Sequence, residues 1–288
     1  MMSKSSGLRG KIYMKNSYNQ PIDFKVFEFS GGEVQVQVTG RVNAGGQEIP
    51  DALVRIYAKI LSSADLMTVL LLKNALDIIG VGAVSLECSY LPYARQDRVM
   101  DTGESFSLIV FAQLINSANF SQVHVLDPHS DVGPALLNNC VIHSNLSYVE
   151  WAVKDINSAL TLIVPDAGAR KKADKLAQDI TFSKVVQAGK TRDTRTGALK
   201  GFEVYADDLE GKDCIIVDDI CDGGGTFIGL AKELKAKNAG KLYLFVTHGI
   251  FSKGVDVLTE HFEHIYTTDS VYSQLNTDKV TGVTQYAN

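Results

Sequence analysis

The densest run of chemically useful residues is Ile215-Ile216-Val217-Asp218-Asp219-Ile220-Cys221-Asp222-Gly223-Gly224-Gly225-Thr226. Cys214–Val217 reads as a buried strand that delivers two adjacent carboxylates at its carboxyl end, where open α/β sheets bind ligands. Three glycines and a threonine then lead into a helical pattern, Thr226–Lys237. The free amides and dipole of such a helix start suit a phosphate. Adjacent acids can accept hydrogen bonds from vicinal sugar hydroxyls. The stretch therefore reads as a sugar-phosphate site, with Asp218 and Asp219 on the diol and Asp222, Gly223, Gly224, Gly225 and Thr226 around the phosphate. The plainer reading is a tight strand-to-helix turn with solvated acids.

Four further groups have suitable residue types. Tyr90-Leu91-Pro92-Tyr93-Ala94-Arg95-Gln96-Asp97-Arg98 follows a strand at Ala83–Cys88, and its two guanidinium forks match phosphate oxygens. Asp127-Pro128-His129-Ser130 ends a strand at Val123–Leu126. A His beside an Asp can bind phosphate and Mg²⁺, although imidazole is an unusual ligand for so hard a cation. Asp166 follows Leu162–Val164 and precedes a Lys-rich helix, Ala169–Gln178. Gly189-Lys190-Thr191-Arg192-Asp193-Thr194-Arg195 reads as a mobile basic loop, and phosphoryl transfer needs cations such as Lys190 and Arg192 near the developing charge. Taken alone, these are equally a surface salt-bridge loop, a structural histidine, a solvated helix face and a charged hairpin.

The elements that must position these groups alternate between strand and helix patterns, which implies α/β with mostly parallel strands. Val34–Thr39 and Leu242–Thr247 read as further strands, Val185–Ala188 as another, and Ala64–Ile79 and Phe106–Asn116 as helices. A strand runs into an acidic loop in each half, which points to two similar α/β halves split between residues 145 and 155. The expected domains are 1–148 and 149–288. Charged residues are 21% and hydrophobic residues 45% of the 288, with net charge −5. That excludes nucleic-acid or membrane binding through bulk positive charge, so any anion must be held locally. Apolar runs such as Leu108–Phe111 are too short to span a bilayer, and Met1–Lys11 lacks the apolar stretch of a signal peptide. Cys88, Cys140, Cys214 and Cys221 form no CxxC pair, and read as reduced thiols in a cytoplasmic protein.

The Asp218–Thr226 segment resembles the phosphoribosyl-pyrophosphate motif shared by type I phosphoribosyltransferases and ribose-phosphate pyrophosphokinases. Pro92–Arg98 resembles the ATP-binding signature of the pyrophosphokinases alone. Phe29-Ser30-Gly31-Gly32-Glu33, Thr247–Ser252 and Thr267–Ser270 are similar to further family segments, so the resemblance runs from Phe29 to Ser270. It implies two phosphoribosyltransferase-like halves, each a mostly parallel sheet flanked by helices, with ATP on the N-terminal side and the sugar phosphate on the other. It further implies Mg²⁺-dependent transfer of the β,γ-pyrophosphoryl group of ATP to the 1-hydroxyl of ribose 5-phosphate, in a homo-oligomer. By the same resemblance Phe29, Glu33, Arg95, Gln96, Asp97, Arg98 and His129 bind ATP, His129 and Asp166 meet the metal, and Lys190 and Arg192 are catalytic. Gly31 replaces the family's usual Asp, Gly223 its usual Thr, and Ala169 its common Gly, while its N-terminal helix has no counterpart between Lys11 and Lys25. The change at Gly223 raises an alternative acceptor extended at the 5-position, such as ADP-ribose. A type I phosphoribosyltransferase and a non-catalytic regulatory subunit are the remaining alternatives.

Overall fold

The computed structural model describes residues 11–40, 53–192, 199–271 and 275–283, without the side chains of 190–192 and 199–200. It separates into two units, Met1–Ser144 and Asn145–Asn288. The division falls after residue 144 rather than 148 because Leu146 and Tyr148 already pack with Val149 and Ala152 in a core of the second unit.

The first unit is built on a six-stranded sheet of order β2-β1-β5-β6-β7-β8. These strands are Ile12–Asn16, Pro21–Ile22, Leu53–Ala58, Ala83–Cys88, Gln122–Leu126 and Cys140–His143 for β1, β2, β5, β6, β7 and β8. The four from β5 to β8 are parallel, and β1 runs against β5. Strands β3 (Phe24–Glu28) and β4 (Val34–Val38) form a separate hairpin. Helix α1 (Ser63–Ile79) starts where the Ser62 side chain accepts the Asp65 N–H and stops at Gly80, whose φ of 88° is open to glycine at little cost. Its Val69, Leu72 and Leu76 are fully buried with Leu108, Phe111 and Ile115 of α2 (Ser107–Ser117) against the same sheet face. A five-residue helix α3 (Val132–Leu136) follows β7. The segment expected to lack the family's helix is strand β1 with its β2 partner.

The second unit carries a seven-stranded sheet, β11-β10-β9-β12-β13-β14-β15. Strands β9 (Leu160–Val164), β10 (Lys184–Arg192), β12 (Asp213–Cys221), β13 (Leu242–Gly249), β14 (His264–Thr268) and β15 (Val280–Val283) are parallel, and β11 (Leu199–Val204) turns back on β10. Helices α4 (Leu146–Ile156) and α5 (Arg170–Asp179) bury Val149, Ala152, Ala173 and Leu176 in one core cluster. Helix α6 (Gly225–Ala236) buries Phe227, Leu230 and Leu234 in another, which the short α7 (Asp256–Thr259) joins through Leu258. β9 has β10 on one side and β12 on the other, so the connections diverge there. That divergence makes a topological switch point, the usual ligand crevice of an open parallel sheet.

Two expectations change. The basic segment is not a loop up to Arg192: Lys190 pairs with Phe202 and Arg192 with Leu199 in the β10–β11 ladder, with a bulge between Thr191 and Arg192. Alternating small and polar residues gave it no apolar strand signature, and the antiparallel partner supplies the hydrogen bonds. Asp193, Thr194 and Arg195 lie outside the described residues. Likewise β12 does not end at Val217, because Ile220 and Cys221 still pair with His248 and Gly249.

Candidate functional site

Three carboxylates meet at the switch point of the second unit. β9 ends just before Asp166, whose Oδ1 accepts the Ala169 N–H at 3.2 Å as the chain enters α5. On neighbouring β12, Asp218 Oδ1 accepts the Asp219 N–H at 2.9 Å. Asp218 keeps some open surface but is closely surrounded. Its pKa lies well above the ordinary carboxylate value because of desolvation, then the Asp219 charge and hydrogen bond, with Asp166 adding to the effect. Asp219 is buried, and the Lys172 ammonium of α5 stands 3.8 Å from its Oδ2. This concentration of acid over a strand end stabilises nothing by itself; it is suited to hydroxyl donors and a cation.

Immediately beyond, Cys221 to Gly225 swing from β12 into α6. Gly224 caps the helix at φ 75° with no side-chain capping bond, and a Cβ there would sit 2.9 Å from Leu258 Cδ2. Gly225 is exposed with open space on its side-chain face. The first amides of α6 have no intrahelical acceptors and no capping side chain, so they are available to an anion. Asp222, Gly223 and Thr226 flank them, each partly exposed.

In the first unit, the structure brings Arg95–Arg98 beside Asp127–Ser130. Asp97 is buried and accepts from Arg98 through Nε at 2.7 Å and a terminal guanidinium nitrogen at 3.1 Å. The Arg98 bonds pull its pKa down to about 2 against the opposing effect of burial, and a Ser130 hydrogen bond and the nearby His129 assist. Asp97 thus buttresses the loop, while Arg95, Gln96, Arg98 and His129 are exposed. Asp127, at φ 40°, turns the chain sharply out of β7 to present His129. Phe29 and Glu33 sit on the exposed tip between β3 and β4, joined by Phe29 N–H to Glu33 carbonyl at 2.9 Å. Gly31 lies against the Glu33 carboxylate, where an added Cβ would approach Oε2 to 2.9 Å.

The chain aligns over 212 residues with the ribose-phosphate pyrophosphokinase of Mycoplasmopsis pulmonis at 28% identity, covering 72% of this chain and 65% of that protein. The Bradyrhizobium diazoefficiens ribose-phosphate pyrophosphokinase is 29% identical over 262 residues, 88% of this chain and 78% of the relative. The phosphoribosyl synthetase-associated domain matches residues 202–283, which include the Asp218–Thr226 segment. Over most of its length the chain is thus similar to ribose-phosphate pyrophosphokinases. Its fold agrees: the phosphoribosylpyrophosphate synthetase of Mycobacterium smegmatis superposes with a TM-score of 0.78 at 22% identity, over 91% of this chain and 86% of that one. The likeness extends to the architecture, two mixed α/β units with parallel-rich sheets flanked by helices. Among the described residues, no helix is long and apolar enough to cross a membrane.

Some site features carry no sequence signal of their own. Ser130 and Lys172 contact Asp97 and Asp219 only through the fold. A buried polar group also lies within the Thr247–Ser252 and Thr267–Ser270 segments. Here His248 Nδ1 lies 2.8 Å from Ser270 Oγ, Thr268 Oγ1 and Ser270 Oγ donate to the Thr247 carbonyl, and Asn145 Nδ2 donates to Thr247 Oγ1. A second cluster, Glu87, His124 and His143, is unrelated to any sequence motif and is the one tight His/carboxylate trio among the described residues. Its His rings are stacked with centroids 5.1 Å apart, and His124 Nδ1 lies 2.8 Å from His143 Nε2. Two imidazoles on one tetrahedral metal hold their nitrogens about 3.3 Å apart, so at 2.8 Å the pair is drawn together as a hydrogen bond.

Proposed function

We propose that the protein transfers the β,γ-pyrophosphoryl group of ATP to the 1-hydroxyl of ribose 5-phosphate, giving phosphoribosyl pyrophosphate and AMP for nucleotide biosynthesis. The observation that carries this reading is the convergence of Asp166, Asp218 and Asp219 beside the uncapped start of α6 at the switch point of one sheet. The relatives' activity supports it.

In this reading Asp218 and Asp219 accept hydrogen bonds from the ribose diol and fix the anomeric hydroxyl. The amides of Gly224 and Gly225, with Thr226, hold the 5-phosphate, while Asp222 and Gly223 shape the loop. Arg95, Gln96, Arg98 and His129 hold ATP, with Asp97 locking Arg98, and Phe29 and Glu33 contribute at the adenine of a neighbouring subunit. Lys190 and Arg192 balance charge on the transferred group, so the chemistry depends on positioning and neutralisation rather than on a protein nucleophile. Mg²⁺ fits the donor set, because hard carboxylate oxygens at Asp166 lie beside a carboxyl whose ionisation is held back by burial and then by neighbouring negative charge. His129 is the second candidate ligand. When bound, the ion neutralises phosphate charge and orients the phosphates. Assembly into a homo-oligomer in the cytoplasm belongs to the same reading; exposed Met67, Val110 and Leu114 line an apolar groove between α1 and α2 that supports a subunit contact.

An ADP-ribose acceptor gains no support from the relatives. Mass spectrometry of products formed from ATP and Mg²⁺ with ribose 5-phosphate or ADP-ribose is the test. The expected result is phosphoribosyl pyrophosphate and AMP with the first acceptor and no product with the second. Product from ADP-ribose alone would overturn the acceptor assignment.

A further inference from the structure

Space in front of Gly223 is bounded by a lysine from another element. β13 ends at Gly249, and the chain then turns tightly through Phe251 at φ 45° and Gly254 at φ 78°. Ile250 and Phe251 donate to the Cys221 carbonyl at 2.8 and 3.1 Å, and Ser252 donates to the Asp222 carbonyl at 3.2 Å. These bonds clip the turn to the beginning of the glycine loop. The Phe251 ring is buried, and the Gly249 N–H donates to Thr267 Oγ1 at 3.1 Å, next to the buried His248–Ser270 contact. Lys253 therefore leaves a firmly held backbone.

Its alkyl stem runs along residue 223. A Cβ built on Gly223 would meet Lys253 Cε, Cδ and Cγ at 3.4, 3.5 and 3.6 Å. A methyl would just touch that stem and a longer side chain would compete with it for the same space, so the glycine leaves the position to the lysine. The ammonium, one bond beyond Cε, brings positive charge to the loop that leads into α6, whose own start is uncapped and positive. Asp222 supplies one negative charge on this loop, and the lysine and the helix start together still favour an anion between them. A terminal phosphate monoester, with nearly two negative charges at neutral pH, answers that need better than a phosphate esterified on both sides.

We propose that Lys253 is a specificity-determining residue of the sugar-phosphate site, pairing with the acceptor's terminal phosphate from the position that Gly223 leaves clear. This rests on the diphosphotransferase reading above and narrows its acceptor to sugars ending in a phosphate monoester. Lys253→Met keeps the stem and removes the charge, and Lys253→Arg keeps the charge. Kinetics and calorimetric binding of ribose 5-phosphate, with inorganic phosphate as a competing probe, test the assignment. Lys253→Met is expected to raise KM for ribose 5-phosphate about 10- to 100-fold, the scale of one hydrogen bond to a charged group. It should leave kcat within about twofold on that scale, weaken phosphate competition by a similar factor, and be largely rescued by Lys253→Arg. If wild type turns over and binds ribose 5-phosphate while Lys253→Met matches it in KM and in phosphate competition, this inference falls and the diphosphotransferase reading stands. A loss confined to kcat also overturns it. If wild type neither binds nor uses ribose 5-phosphate, that reading fails and the inference fails with it.

Discussion

Replacing Asp219 by Asn removes one negative charge from the end of β12 at almost constant volume. Two opposite effects follow. Burial first and then the Asp219 charge hold back ionisation of Asp218, so the variant relieves the second of these. A carboxyl whose folded pKa is raised keeps its proton to higher pH in the folded than in the unfolded chain. Stability is therefore lost as pH rises from the ordinary value of 3.8 through the raised one. The variant should flatten that decline and be more stable than wild type near neutral pH, by on the order of 1 kcal/mol. The weak Lys172 contact at 3.8 Å is too long and too open to offset this. Function should move the other way. Losing a charge-assisted bond to a ribose hydroxyl costs about 1.5–3 kcal/mol, or about 10- to 150-fold in ribose 5-phosphate affinity, with ATP affinity within about threefold. Thermal melts across pH 4–8, scanned at about half-unit steps through the window of the shift, and calorimetric titration of each ligand read both effects. An equal loss for ATP, or lower stability at neutral pH, would refute the assignment of Asp219 to the sugar.

Lys190→Ala should leave melting unchanged and lower turnover by about 10²-fold, the scale of one lost transition-state donor; near-normal turnover in steady-state assays would remove Lys190 from the mechanism. Gly224→Ala imposes the φ of 75° on a residue with a side chain and presses a Cβ to 2.9 Å from Leu258. A loss of about 1–2 kcal/mol in denaturant unfolding is expected, with weaker ribose 5-phosphate binding, and wild-type values in both would contradict the loop geometry. Burial lifts the Glu87 pKa from 4.5 to about 6, with Arg55 opposing, so this carboxyl costs stability increasingly as pH rises through that interval. After allowance for solvent screening, Glu87→Gln should gain on the order of 1 kcal/mol at pH 7 and almost nothing at pH 4. Chemical denaturation at both pH values decides it, and an equal gain at both would mean that burial is not the cause.

Local patterns made much of the second site readable. The apolar run to Val217, the paired acids and the glycines each impose a short-range physical constraint, and α6 begins within one residue of where those constraints place it. The helix at α1 was likewise marked by leucine spacing and its closing glycine. Strands β1, β5 and β14 were missed because residues such as Arg55, Tyr57 and His264 break the simple alternation, and pairing across the sheet overrides it. Lys190 and Arg192 looked like loop residues for the same reason. Contacts made by distant chain segments left no mark at all: Asp97 with Ser130, Lys172 with Asp219, and Lys253 over Gly223. The last bears on Gly223, which in the sequence reads as an opened exit and in the fold has the Lys253 stem beside it.

The fate of the β-phosphorus of ATP tests the central claim most directly. Phosphorus NMR of a reaction with ATP, Mg²⁺ and ribose 5-phosphate distinguishes transfer of a pyrophosphoryl group from transfer of a single phosphoryl group. Stoichiometric AMP, with both the β- and γ-phosphorus found on the sugar's 1-oxygen, is the predicted outcome. Accumulation of ADP with a singly phosphorylated product, or AMP with free pyrophosphate and unchanged sugar, would contradict it.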